Sequence, residues 1–131
     1  MTLTPYSRNR ILKTFQNWHV EKEFADPMFN YLVHGFSPGS CFTAVLANDF
    51  LSAVSRSHPA NTIEAFKHLA GWIRDTVPAE ARGSYAAVDH WTRLDANVRR
   101  EVLESAGLVL TADQEMWATL KNVPTTEPVL Y

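Results

Sequence analysis

The chain of 131 residues predicts an all-α fold, a compact bundle of six or seven short helices with an extended C-terminal tail. Three observations lead there. Apolar residues recur at spacings of three and four along most of the chain. A residue able to cap a helix stands directly before proline three times, at Thr4–Pro5, Asp26–Pro27 and Ser37–Pro38. Glycine or proline then closes most of the periodic runs. Strand-like composition is confined to Leu108, Val109 and Leu110, a stretch read as a loop or helix lead-in.

Taken in order, Thr4–Pro5 opens a helix whose core face is Ile11, Leu12, Phe15 and Trp18. Asp26–Pro27 opens a second, residues 28–34, which Gly35 ends in the left-handed conformation. Ser37–Pro38 opens a third. It sets Phe42, Val45, Leu46, Phe50, Ala53 and Val54 in one continuous apolar stripe. His58–Pro59 ends that helix, because the residue before proline is pushed out of helical geometry. Asn61 is the expected cap of the next, with Glu64 completing a capping-box-like pair. Its buried face is Ile63, Phe66, Leu69, Ala70, Ile73 and Val77, and Pro78 stops it. Ser84 caps residues 85–94, Asp95 caps 96–106 before Gly107, and Thr111 with Gln114 boxes the start of 112–121. Residues 1–131 read as a single helical domain, with a linker at 78–84 as a sub-boundary. Residues 123–131 carry Pro124 and Pro128 without helical period, and read as an extended tail.

Composition narrows the function. A hydrophobic fraction of 46% and a charged fraction of 20% suit a folded globular chain. A net charge of −2 is too balanced for general binding to a polyanion, so nucleic acid is not an expected partner. The charge is uneven: Arg8, Arg10 and Lys13 lie in residues 1–20 without an acid. Asp95, Glu101, Glu104, Asp113 and Glu115 fall within residues 95–115. Cys41 is the only cysteine, so no intrachain disulfide and no Cys-based zinc site can form. The opening residues lack the apolar core of a signal peptide, and no apolar run approaches the roughly 18 residues of a membrane span. A cytoplasmic protein with no membrane contact is expected.

A search for chemistry finds little. The five histidines, His19, His34, His58, His68 and His90, form no H-x-x-x-H or H-E-x-x-H arrangement. No metal and no cofactor are expected. Cys41, at a predicted helix start with His34 across the turn, is the sharpest catalytic pairing, because helix amides can lower a thiol pKa. Its alternative is a small apolar gap-filler beside Phe42. The turn Ser37, Gly39, Ser40 is a candidate anion-binding site, since helix starts offer unpaired N–H groups. It lacks both glycine-rich phosphate-loop patterns, and Ser37 could satisfy those N–H groups by capping. Asn48 and Asp49 are more unusual, both poor helix formers in the middle of an expected apolar helix. Asp49, Ser52 and Arg56 then fall along one side. With Asn48 they form either a solvated face or a partner-binding surface. Trp18, Trp72, Trp91 and Trp117 fall one to a helix. Any left exposed would suit an interface.

Between Tyr31 and Trp91 a set of short motifs stands together. These are Tyr31, Gly35, Pro38–Gly39–Ser40, Phe42, Ala44–Val45–Leu46, Asn48–Asp49, Arg56, Asn61, Pro78 and Gly83–Ser84. In this pattern, covering about residues 28–92, the chain resembles a group of small accessory proteins of tailed bacteriophages, prophages and related mobile elements. It departs from that group at Cys41, at Arg82 and at Ser55–Arg56–Ser57–His58. The resemblance implies a phage or mobile-element setting in a bacterial host, without an established activity.

The leading expectation is therefore a non-enzymatic accessory protein that binds a host protein or defence complex through Asn48, Asp49, Ser52 and Arg56. It would act as an anti-CRISPR-like inhibitor. The alternatives are an oligomeric sponge that sequesters a nucleotide signal, using the 37–40 turn, Arg56 and an exposed Trp, and a small enzyme using Cys41.

Overall fold

The computed structural model describes residues 2–59 and 61–120; the tail expected at 123–131 lies outside the described residues. These fold into α1 (Pro5–Asn17), α2 (Lys22–His34), α3 (Ser40–Leu46), α4 (Phe50–Arg56) and α5 (Ile63–Thr76). A 3-10 turn at Ala79–Ala81 follows, then α6 (Tyr85–Arg93), α7 (Ala96–Ser105) and α8 (Ala112–Leu120). Among the described residues there is no strand. Leu108 and Val109 are instead buried apolar residues in the link from α7 to α8. There is one helix more than expected because residues 40–56 form two helices where one continuous stripe was predicted.

Several caps fall where the residue chemistry puts them. Thr4 accepts from the Ser7 N–H, with Pro5 as the first helical residue. Gly35 ends α2 at φ +69°. Ser84 accepts from the Ala87 N–H at 3.0 Å, and Asp95 from the Asn97 N–H at 3.4 Å. Thr111 and Gln114 exchange reciprocal side chain–backbone bonds at 3.0 and 3.3 Å.

Three starts differ. Helix α2 begins at Lys22, five residues ahead of Pro27, which sits inside it. Phe24 and Ala25 are core residues, and their burial draws the preceding turn into the helix at the cost of the one bond Pro27 cannot donate. Helix α3 starts at Ser40 behind Gly39, whose φ of +92° turns the chain, so Ser37 caps nothing. In α5 the cap is Thr62 rather than Asn61, accepting from the Ala65 N–H at 3.1 Å. Glu64 faces His68 at 3.8 Å instead of closing a box.

One hydrophobic cluster draws on α1, α2, α3, α5, α6, α7 and the 108–109 link. Trp72 packs on Phe15 with ring centroids 4.5 Å apart and donates its N–H to the Thr14 hydroxyl at 2.9 Å. Trp91 donates to the Tyr31 and Leu32 carbonyls. The Tyr31 hydroxyl reaches the Ala81 carbonyl at 2.7 Å, and burial raises its pKa well above the usual phenol value. The indole N–H groups of Trp72 and Trp91 and the Tyr31 hydroxyl are thus bonded, as their desolvation requires. Arg99, almost fully buried, donates to the Val33 carbonyl at the end of α2 and to the Leu94 carbonyl. Trp18, expected in the core, is 38% exposed. Its ring lies so close over Gly71 that a Cβ there would come within 2.6 Å.

Helix α8 is attached differently. Glu115 accepts from the Thr4 hydroxyl at 2.7 Å and from the buried Ser7 hydroxyl. Arg100 stands 3.8 Å from the same carboxylate, and Leu110 donates its N–H to Ser7 at 3.1 Å. The acidic 95–115 segment therefore meets α1 through a polar seam.

Candidate functional site

The break between α3 and α4 falls at Asn48–Asp49, the pair that residue patterning places in mid-helix. Asn48 takes φ +66°, a left-handed conformation that Asn tolerates better than other non-glycine residues. Its N–H bonds the Val45 carbonyl at 3.1 Å, and the Asp49 N–H bonds the Ala44 carbonyl at 2.8 Å. Asp49 then caps the second helix, accepting from the Ser52 N–H at 3.3 Å. The expected stripe is corrected here: the chain reverses at the elbow, so Phe50 leaves the apolar face of α3 and stands 59% exposed.

Asp49 and Ser52 are joined by a residue that the sequence reading missed. The Tyr85 hydroxyl, in the first turn of α6, donates to Asp49 Oδ2 at 2.6 Å. This bond, followed by those from Ser52 and the field of Arg56, holds the Asp49 carboxyl below its usual range. The same bond raises the Tyr85 phenol. The Gly83 N–H, bonded to the Leu46 carbonyl at 2.8 Å, ties the approach to α6 onto the end of α3. Of the expected partner-binding residues, Asp49, Ser52 and Arg56 thus share one electrostatic cluster with Tyr85. Leu51, beside them on α4, is 80% exposed. No sequence spacing signalled Tyr85, because its partner lies 36 positions away.

Asn48 belongs to a different feature, a groove of about 310 Å³ between the elbow and α5. Val45, Ala53, Phe66 and Ala70 line it with Asn48, and Phe50, Ile63 and Lys67 stand around it. Beside it, sharing Val45, Asn48 and Ala70, lies a recess of about 400 Å³ that adds Leu46, Ile73, Arg74, Arg82 and Gly83. The combined lining carries Lys67, Arg74 and Arg82 and no carboxylate.

The remaining candidates stand apart. Ser37 and Gly39 are exposed on the link from α2 to α3 and Ser40 is exposed at the start of α3, a seven-residue helix with no side-chain cap. The Cys41 thiol is partly buried, donates to the Ala53 carbonyl at 3.3 Å, and is raised in pKa by burial. That is opposite to what a nucleophile needs. The His34 ring stacks on Phe36 and meets Phe29 edge-on. Burial, with Arg99 and Arg8, disfavours its charged form. The Trp18 indole lines a recess of about 520 Å³ with Lys67, His68, Gly71, Arg74 and Asp75, and bonds Asp75 at 3.0 Å. On α8, Met116, Trp117 and Leu120 are exposed. Among the described residues no group of three or more His, Cys, Asp or Glu is placed to hold a metal, and no helix is long and apolar enough to cross a membrane.

No family model matches the chain, and no curated protein or solved structure does. The geometry by itself is an exposed leucine beside a bonded polar cluster, with an apolar groove alongside.

Proposed function

We propose that this protein is a small non-catalytic accessory domain that binds and modulates a host protein through the outer face of α4, in the setting of a phage or related mobile element. The counter-defence form of that role, inhibition of an immunity complex, is the version its sequence resemblance favours. The observation that carries the reading is Leu51, 80% exposed, next to the Asp49–Tyr85 bond and Arg56. Tyr85 and Arg56 are of the residue types enriched at binding hot spots, and Leu51 adds exposed apolar area beside them. Asp49 and Ser52 act as the frame of that face, since their bonds hold the elbow, while Leu51 and Arg56 would meet the partner.

A host whose CRISPR immunity blocks a tester phage checks this. Expression of the protein should restore plaque formation, and the double substitution Leu51→Glu, Arg56→Glu should abolish the rescue without lowering the melting temperature. Absence of rescue by the unaltered protein would remove the counter-defence role. Full rescue by the folded variant would remove the α4 face.

Nucleotide sequestration is a second reading, favoured by Trp18 standing in one recess with Lys67, His68 and Arg74. An indole and cations suit a base and a phosphate, although that recess holds neither the 37–40 turn nor Arg56. Melting temperatures measured with linear and cyclic nucleotides test it, because a ligand at 100 times its Kd adds about 2.7 kcal/mol of stability. No shift with any of them removes the sponge.

A further inference from the structure

Two apolar surfaces have no cover among the described residues, and they are complementary. One is the groove between the elbow and α5, apolar at Phe50 and Ile63 and cationic towards Arg74 and Arg82. From Ile63 to Arg74 it follows twelve residues of α5, about 16 Å at the helical rise. The other is the outer face of α8. Asp113, Met116, Trp117 and Leu120 are all exposed and lie at i, i+3, i+4 and i+7, one stripe along a helix of nine residues. From Asp113 to Leu120 that stripe spans about 10 Å at the helical rise, acidic at its N-terminal end and apolar at the other. Glu115 points the opposite way, into the seam with Thr4 and Ser7, so the helix presents this stripe outward.

We infer that α8 of one copy lies in the elbow–α5 groove of a second copy. Trp117 and Leu120 would cover the apolar end near Phe50 and Ile63, and Asp113 would meet the cations Arg74 and Arg82. The stripe fits within the length of the groove, and the two agree in the position of their apolar parts and in sign of charge. An aromatic anchor in an apolar pocket is the commonest source of binding energy at such contacts. When two copies place α8 in each other's groove reciprocally, the contact closes as a two-fold dimer; when they do not, it is heterologous and extends head to tail. This surface is separate from the outer face of α4, so the inference does not depend on the proposed partner.

Sedimentation of the full chain across a concentration series from micromolar to millimolar tests it. The average mass should rise from the 14.8 kDa of one chain to twice that value for the closed pair, or beyond it for the head-to-tail form. Ala70→Glu places a carboxylate at an exposed position in the middle of the groove, and Trp117→Lys removes the anchor. Each should weaken association by about tenfold or more while leaving the melting temperature unchanged. Mixed together, the two variants should pair, because the intact α8 of the first fits the intact groove of the second. A monomer throughout the series overturns the inference. So does association that survives either substitution. Loss in both variants without recovery on mixing also overturns it, since each patch would then be meeting its own like.

Discussion

Asn48 is the hinge on which the candidate site turns. Its φ of +66° is a conformation that costs a residue with an ordinary Cβ roughly 1–2 kcal/mol and costs glycine nothing. Asn48→Ala should therefore lower unfolding stability by about 1 kcal/mol in urea, while Asn48→Gly should leave it unchanged or raise it. Asp49 adds a pH signature. Its folded carboxyl lies below the usual value because of the Tyr85 and Ser52 bonds, so the stability it contributes is present above its unfolded pKa and is lost as pH falls through the folded one. Stability measured from neutral pH into the acid range should fall more steeply for the unaltered protein than for Tyr85→Phe. Equal slopes would mean the bond contributes nothing in solution. Gly35 carries two demands at once, a φ of +69° and an Arg99 guanidinium 2.7 Å from where a Cβ would stand. Gly35→Ala should cost more than about 2 kcal/mol, and its cost should shrink in an Arg99→Ala background, as expected for contacting residues.

At the scale of elements, α8 is the outlier. The hydrophobic cluster contains no residue of it, and its attachment is the Thr4, Ser7, Glu115 and Arg100 seam. Ser7 is fully buried, so Ser7→Ala strands the Leu110 N–H and leaves Glu115 one bond short. The expected loss is about 1–3 kcal/mol. Hydrogen exchange should show it as faster exchange of α8 amides, with α2 and α5 little changed. The α3–α4 pair shows the reverse case. Two helices of seven residues are too short to stand alone. They are held by the Asn48 elbow, the Asp49 cap and the Gly83–Leu46 bond. Capping chemistry was legible in the sequence at Thr4, Ser84 and Thr111, but not at Asp49 and Thr62, whose partners also lie three residues away. It misled at Asp26 and Ser37, where a proline marks a start that burial or a left-handed glycine displaced.

For the molecule as a whole, the cluster that joins α1, α2, α3, α5, α6 and α7 predicts a single cooperative transition for those elements. Fluorescence of the buried Trp72 and Trp91 and far-UV dichroism should then report the same midpoint. Leu69→Ala, at a fully buried position, should lower stability by about 2–5 kcal/mol. Although Trp18, Phe50, Ile63 and Ala70 of the expected buried faces stand exposed, what the sequence by itself determined was helix content, most helix ends and much of the core. These follow from spacing and from capping bonds a few residues long, which a linear reading can see. Only the tertiary structure decided that Asn48–Asp49 is an elbow rather than a mid-helix stripe. It also decided that Trp18 lies over Gly71 at the surface and that Tyr85 completes the Asp49 cluster. The physical reason is the same in each case. A left-handed residue reverses the chain, and packing against distant elements then chooses which side chains meet, as with Asp49 and Tyr85 across 36 positions.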